Sequence, residues 1–405
     1  MSGKWPGGVI SKTAPTVTGP TDGEGGSASG IWTLDQAADY EKQGLWPKPI
    51  APKEVWLWGR NQFGQLGQGT SGTGAYSSPL QVGALTDWLT LSASNYYARF
   101  SIKSDGALWA WGAGAAGNLA QGNITNYSSP VQIGALTDWS ETNSGIYHTL
   151  ANKTDGTLWL WGSGAYGSLG LGNTTYYSSP KQLGALTTWA NVSAGQFYSA
   201  GILTNGTLWT WGRNNYGQLG LNNTTDYSSP VQVGALTDWQ KVSVNQSLSG
   251  AIKTDGTLWM WGYNSDGQIG DGTKTNRSSP VQIGALTTWS EVQCGYTHAL
   301  ALKTDGTLWA WGDNANGELG QGSTTDYSSP VQIGALTNWS KIGAGNDSSV
   351  ALTTAGTIFS WGRNHYGQLG LGDTTNRSSP TQVGALTTWK AVIIVRFGGG
   401  GVKTV

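Results

Sequence analysis

The stretch LWAWGDNANGELGQGSTTDYSSPVQIGALTNWSKIGAGNDSSVALTTAGT, residues 308–357, is the unit from which most of this chain is built. Its Trp-Gly dipeptide occurs seven times, with one spacing of 53 residues and five of 50 residues. The tryptophans of these dipeptides are Trp58, Trp111, Trp161, Trp211, Trp261, Trp311 and Trp361. Each unit has short apolar runs separated by Gly, Asn, Ser and Pro, and no periodic segment long enough for a helix. The repeat therefore predicts an all-β structure.

Each unit contains four predicted strands, represented by TLWAWG, PVQIG, WSEVQCG and HALALK. The segment KTDGTLW joins the last strand to the next TLWAWG strand, and its Asp-Gly pair predicts a type I′ hairpin turn. In TLWLWG, Trp159 and Trp161 alternate with Leu158 and Leu160, so both faces of the strand are apolar. Such a sheet must pack between two others, as the blades of a β-propeller do. We therefore predict a seven-bladed β-propeller with four strands per blade.

The two ends of the repeat region indicate how the ring closes. Trp389 lies fourteen residues before Lys403, which is also the separation of Trp139 and Lys153, so the C-terminal VKTV aligns with a strand end. Residues 53–59 align with the strand that follows it. We expect these N- and C-terminal strands to pair in one blade, which removes exposed sheet edges. The FGGGG segment departs from the pattern, because glycine weakens a strand.

The motif WGxNxxGQLGxG, together with HALALKTDGTLWAWG, resembles the RCC1 repeat. Seven units match, which implies a seven-bladed RCC1-like propeller over residues 53–405. The family includes exchange factors for small GTPases, chromatin-associated proteins and ubiquitin ligase domains, so the resemblance implies the fold and leaves the function open. The resemblance also implies that His148 and His298 are packed structural residues.

Residues 1–52 have no repeat and are predicted to form an extended docking arm. Thr33 and Gln36 have capping-box spacing, and Gly44 is a stop signal, which predicts a short helix over residues 34–43. The arm carries large apolar side chains that we expect to dock on another surface. These docking residues are Ile31, Trp32, Leu34, Tyr40, Leu45 and Trp46.

The arm sequence GGVISKTAPTVTGP…SASGIWTLDQAADYEKQGLWP resembles an N-terminal segment of virion and tail-associated proteins of marine bacteriophages. That resemblance implies docking on a phage particle. The alternative is that the arm folds back onto its own propeller.

Composition and motifs argue against several classes of function. Three histidines and one cysteine without metal-ligand spacing predict no metal site, no catalytic residues and no cofactor. The glycine-rich loop precedes no helix, so it does not predict a phosphate site. A net charge of −1 predicts no nucleic-acid partner, and no apolar stretch is long enough for a signal peptide or membrane insertion.

The loops that follow Trp-Gly differ from unit to unit, and side chains outside the blade packing are the ones able to specialise. Arginine and aromatic groups on one rim favour protein or sugar recognition. The alternative is that these loops are unselected solvent-exposed segments. The candidate rim residues are Arg60, Phe63, Arg213, Tyr216, Tyr263, Arg363, His365 and Tyr366.

These observations together favour a non-enzymatic bacteriophage virion structural protein, a tail, neck or capsid appendage assembled in the host cytoplasm. Its arm would contact other virion proteins, its propeller rim would contact a host-surface glycan or protein, and several copies could form a homo-oligomer in the particle. The alternative is an intracellular RCC1-like regulator that binds a GTPase or another protein.

Overall fold

Alternating Trp-Leu strands and Gly-rich turns fold into a ring of sheets in the computed structural model, which describes residues 17–18, 27–28, 42, 51–94 and 97–405. The ring is one compact unit, Lys53–Thr404. Before it, β1 (Val17–Thr18) and β2 (Ser27–Ala28) pair antiparallel. Of the predicted helix over 34–43, only Lys42 is described, and it is helical. The docking residues Ile31, Trp32, Leu34, Tyr40, Leu45 and Trp46 lie outside the described residues.

Within Lys53–Thr404, the described residues form seven antiparallel sheets of four strands, here blades 1 to 7, which confirms the predicted fold. The first strands, in blade order, are β29 (Trp389–Val395), β5 (Ser92–Ala93), β9 (Trp139–Ser144), β13 (Trp189–Ala194), β17 (Trp239–Asn245), β21 (Trp289–Cys294) and β25 (Trp339–Ala344). The second strands are β30 (Gly398–Thr404), β6 (Ala98–Ile102), β10 (His148–Lys153), β14 (Tyr198–Leu203), β18 (Leu248–Lys253), β22 (His298–Lys303) and β26 (Ser348–Thr353).

The Trp-rich segments are the third strands of the blades, and the Pro-containing segments are the fourth, outermost strands, where a residue without an N–H donor is tolerated. The third strands are β3 (Lys53–Arg60), β7 (Leu108–Gly112), β11 (Leu158–Gly162), β15 (Leu208–Gly212), β19 (Leu258–Gly262), β23 (Leu308–Gly312) and β27 (Ile358–Gly362). The fourth strands are β4 (Ala75–Gln81), β8 (Tyr127–Gln132), β12 (Tyr177–Gln182), β16 (Tyr227–Gln232), β20 (Arg277–Gln282), β24 (Tyr327–Gln332) and β28 (Arg377–Gln382). Short 3-10 helices come after the third strands β7 and β11, at Ala115–Gly117 and Ala165–Gly167.

Blade 1 is built from both ends of the repeat region, as predicted. Its C-terminal strand β30 pairs antiparallel with β3, with Val402 opposite Val55 and Gly399 opposite Trp58. The glycines of FGGGG do not prevent this pairing. A Cβ on Gly401 would lie only 2.8 Å from the ring of Trp389, so the missing side chains leave room for the packed neighbours.

The tryptophan of each Trp-Gly dipeptide joins its blade to the preceding blade. The side chain of Trp211 is fully buried, and its Nε1 donates a hydrogen bond to the carbonyl oxygen of Ser168 at 2.9 Å. Trp58 of blade 1 makes the same bond to the carbonyl oxygen of Gln368 in blade 7, at 2.8 Å. The equivalent bonds of the other blades are made by Trp111, Trp161, Trp261, Trp311 and Trp361. These seven bonds close the ring.

The two faces of the third strand pack on opposite neighbours. Trp161 lies in an apolar cluster with Phe100 of blade 2, whereas Leu158 and Leu160 lie in a cluster with Trp189 of blade 4. Seven such clusters occupy the seven junctions between blades. The core is therefore the set of junctions, and no blade has a core of its own.

The hairpin turn between second and third strands differs from the predicted type. In Lys153–Gly156, only the glycine has a positive φ, 79°, whereas a type I′ turn needs a positive φ at two central residues. Asp155 instead accepts hydrogen bonds from the backbone N–H and the hydroxyl of Thr157, at 2.9 and 2.7 Å. The aspartate is therefore a turn-forming residue through its side chain.

Candidate functional site

The ring has two faces that differ in how much they vary from blade to blade. One face, here the turn face, carries the repeated hairpins such as 153–157 and the connectors such as 183–188. The other, here the loop face, carries the loops after the third strands and the turns before the second strands. The loops between the third and fourth strands are residues 61–74, 113–126, 163–176, 213–226, 263–276, 313–326 and 363–376. All eight candidate rim residues lie on this loop face.

Three of the candidate residues meet over the seam, where blades 7, 1 and 2 adjoin. The guanidinium of Arg60 lies over the ring of Tyr366, 5.0 Å from its centroid, and over Phe397 at 5.6 Å. The ring of Tyr97 stacks on that of Phe397 with centroids 4.8 Å apart, and Phe63 packs edge-on against Tyr97 at 4.6 Å. Arg60 also donates a hydrogen bond to the hydroxyl of Tyr97 at 3.3 Å. We call these five residues the seam cluster.

A second group repeats this arrangement over blades 3 and 4. The rings of Tyr147 and Phe197 stack with centroids 4.8 Å apart, and Tyr166 packs against Phe197 at 5.2 Å. The guanidinium of Arg213 lies 5.0 Å above the Tyr166 ring. The same combination of a stacked pair, a tilted ring and an arginine therefore occurs twice.

The remaining candidates lie elsewhere on the loop face. Tyr216 and Tyr263 contact each other, with ring centroids 4.7 Å apart. Arg363 forms a salt bridge with Asp347 at 3.0 Å, and its Nε donates a hydrogen bond to Nδ1 of His365 at 3.2 Å. The eight residues thus form several neighbouring groups on one face.

Sequence reasoning did not identify the residues that hold these groups together. Tyr97, Tyr147, Phe197 and Phe397 occupy one equivalent position, just before the second strand of blades 2, 3, 4 and 1. The other three blades carry polar residues there, which are Ser247, Thr297 and Asp347. Comparing this position across the units would have revealed four aromatic residues in consecutive blades.

Tyr166 has a strained backbone. Its φ is 58° and its ψ is 11°, in the left-handed region that bulky residues rarely adopt. Its side chain is 45% exposed, so core packing does not explain the choice of tyrosine. Ala116 has the same conformation at the equivalent position of blade 2, so the strain belongs to this loop type.

The loop face over blades 5 to 7 is acidic. Burial raises the pKa of Asp313, and the nearby Asp326 and Asp266 raise it further. Burial also raises the pKa of Glu318 to about 8, with a further contribution from Asp313 and Asp347, so this buried carboxyl is neutral near pH 7 and the negative charge comes from the aspartates. The loop face is therefore divided into an arginine-aromatic part and an acidic part.

A cavity within the central channel, lined by parts of the first strands, has a volume of about 250 Å³. Its lining is mostly Ser, Thr, Asn, Gln and aliphatic side chains. Among the described lining residues the ionisable group is Cys294, whose thiol donates to the carbonyl oxygen of Ser243. Burial raises the pKa of this thiol to about 12, so it is protonated and a poor nucleophile.

The two repeated histidines lie inside the blade junctions. His148 and His298 are buried, and each forms a hydrogen bond through Nε2 with a serine of the next blade, at 2.7 and 3.0 Å. Burial lowers their pKa values to about 3 and about 4, so both are neutral near pH 7. Within the described residues, no group of three or more His, Cys, Asp or Glu side chains is placed to hold a metal ion. No helix in the described part of the chain is long and apolar enough to cross a membrane.

The fold and its inter-blade tryptophans define a propeller of RCC1 type, and comparison with known families agrees. The model of the RCC1-like domain matches residues 51–339, and models of the regulator of chromosome condensation (RCC1) repeat match residues 355–400 and 339–368. The chain belongs to the RCC1-like domain family.

Solved structures share this fold at low sequence identity. Human WBSCR16 is similar with a TM-score of 0.77 and 20% identity, over 87% of this chain and 99% of that chain. Prp20p from Saccharomyces cerevisiae has a TM-score of 0.76 and 17% identity, over 87% of this chain and 91% of that chain. These comparisons do not support the virion interpretation, which rests on residues 1–50 and stays a prediction.

Proposed function

We propose that this protein is a non-enzymatic binding scaffold that holds a protein partner on its loop face. One observation carries the proposal: the blade junctions repeat closely, whereas the loop face has aromatic residues before the second strand in four consecutive blades and polar ones in the other three. Of these four aromatic residues, Tyr147 and Phe197 are partly exposed, whereas Tyr97 and Phe397 are buried. Partly exposed aromatic and arginine side chains are the groups that dominate protein interfaces.

Protein binding is also compatible with what is known of the fold. The structure of Prp20p was described together with its binding to Gsp1p and histones, and yeast RCC1 has been crystallised with Kap60. We therefore favour an RCC1-like regulator that binds a GTPase or another protein over the virion interpretation. The identity to Prp20p is too low to transfer its partner.

Site-specific photo-crosslinking in the full-length protein tests this function. A benzophenone amino acid is placed at Tyr166 on the loop face or at Leu186 on the turn face, which are similarly exposed, and is irradiated in the cells that encode the protein. We expect a defined protein adduct from Tyr166 and none from Leu186. Equal adducts from both positions, or adducts from Leu186 alone, would contradict the proposal. Mass spectrometry of the adduct then distinguishes a GTPase from other proteins.

A further inference from the structure

Resting on the proposed function, we infer that the seam cluster binds an acidic segment of the partner, in which a carboxylate pairs with Arg60 and an apolar side chain packs on the partly exposed rings of Phe63 and Tyr366. The seam cluster is Arg60, Phe63, Tyr97, Tyr366 and Phe397.

Arg60 is a cation without a carboxylate partner among the described residues, as is Arg213, whereas Arg277, Arg363 and Arg377 are each paired with an aspartate. Arg277 bonds Asp271 at 2.6 Å, and Arg363 bonds Asp347 at 3.0 Å. The guanidinium of Arg60 is instead held by two aromatic rings and by the Tyr97 hydroxyl. Cation–π contacts orient the guanidinium and leave hydrogen-bond donors for a bidentate carboxylate. Arg60 is therefore preorganised for an anion.

A buried cation lies close to the seam cluster. Arg99 is fully buried, and its Nε and Nη2 atoms have no hydrogen-bond partner. It is two residues after Tyr97, and a Cβ on Gly398, the residue after Phe397, would lie 3.4 Å from Nη2. The equivalent residues of blades 4, 5 and 7 are the uncharged Ser199, Ser249 and Ser349. A buried, unpaired guanidinium raises the positive potential at this junction alone, since charges interact strongly in a low-dielectric interior.

The acidic part of the loop face limits the length of the anionic ligand. Asp266 and Asp313 over blades 5 and 6 would repel a polyanion that crossed the whole face. A nucleic acid strand needs a continuous basic track, because its charge is spread along its length. A short acidic protein segment meets the seam cluster without reaching these aspartates. The charge distribution therefore favours an acidic peptide over a nucleic acid.

The test uses full-length protein and a displayed library of random peptides. We expect the selected peptides to be enriched in Asp or Glu next to an aromatic residue. A selected peptide should bind the Arg60→Gln variant about tenfold more weakly, and its affinity should fall as the salt concentration rises. The matched control is Arg277→Gln in blade 5, where the arginine is already paired with Asp271; its affinity should be unchanged. Thermal melts of both variants verify that the fold is intact.

Three outcomes would overturn the inference: selected peptides that lack acidic residues, unchanged binding by Arg60→Gln, or tighter binding of oligothymidylate than of the peptide. The first outcome, combined with a loop-face adduct at Tyr166, would leave the proposed function standing. No loop-face peptide together with no Tyr166 adduct would reject both.

Discussion

At the scale of single residues, the Trp-Gly dipeptide explains why the repeat is so regular. Its tryptophan donates to the preceding blade, and its glycine has a φ of 95–106° in all seven blades. A Cβ on Gly212 would collide with the carbonyl group of Phe197. Replacing either residue of the dipeptide should therefore lower the stability of the fold.

Replacing Trp161 by Ala should lower the free energy of unfolding by about 3–5 kcal/mol, because it removes a fully buried indole and leaves a cavity. Urea denaturation measures the change. Trp159→Phe is the control, since Phe359 occupies that position in blade 7 and the residue is only partly buried. A loss below about 1 kcal/mol for Trp161→Ala would show that the junction packing is misassigned.

Glu318 should make stability depend on pH. Its Oε2 accepts the N–H of Asn316, while Oε1 is buried without a partner, so the protonated form is favoured and the pKa rises to about 8. Because the folded pKa exceeds the unfolded value, stability is full below about pH 4.5 and falls as the pH rises toward 8. In blades 4 and 7 the position of Glu318 is occupied by the uncharged Gln218 and Gln368.

Glu318→Gln should therefore raise the free energy of unfolding by about 1–3 kcal/mol at pH 9 and change it little at pH 4. Urea denaturation at both pH values measures the effect. An equal effect at the two pH values would mean that the carboxyl group is ionised in the fold.

At the scale of elements, the blade junction is the unit of stability, and hydrogen bonds between second strands contribute to it. His148 bonds Ser199, and Tyr198 makes the equivalent bond to Ser249 at 3.0 Å. Histidine and tyrosine thus fill the same place, but only histidine can become charged in mild acid.

The two buried histidines should sensitise the protein to acid. Their folded pKa values lie below the ordinary 6.5, so the stability they contribute is full above pH 6.5 and is lost as the pH falls toward 4. The double variant His148→Tyr/His298→Tyr keeps a hydroxyl for each serine. Between pH 7 and pH 4, the free energy of unfolding of this variant should fall less than that of the wild type. The difference should be on the order of 2 kcal/mol per histidine. Identical pH dependence of the two proteins in urea denaturation would contradict this role.

At the scale of the whole molecule, stability depends on ring closure. Strand β30 fills the space between β29 and β3, so its removal exposes two sheet edges and uncovers the junctions on both sides. Exposed edges of this kind template aggregation.

Truncation after Phe397 should abolish cooperative unfolding and produce aggregates, whereas removal of Val405 alone should change little. Size-exclusion chromatography and thermal melts measure both effects. A monomeric truncated protein with an unchanged melting temperature would show that the ring does not need its closing strand.

How far the sequence predicts the structure differs between these scales. The fifty-residue period, the Trp-Leu alternation and the alignment of Lys403 with Lys153 are local patterns, and they were sufficient for blade number, strand order and the closing blade. The turn type was wrong, because Asp155 acts through its side chain and not through a positive φ. The seam cluster was found only in part, since Tyr97 and Phe397 lie about 300 residues apart.

The sequence by itself determined the propeller, because each blade repeats the same short-range pattern and each junction repeats the same packing. Only the tertiary structure decided which variable side chains meet. The ring brings residues 60, 97, 366 and 397 together across the seam, and it leaves Arg60 unpaired while it pairs Arg363 with Asp347. Such contacts join side chains from loops of different blades, and their positions in space are not specified by any local pattern.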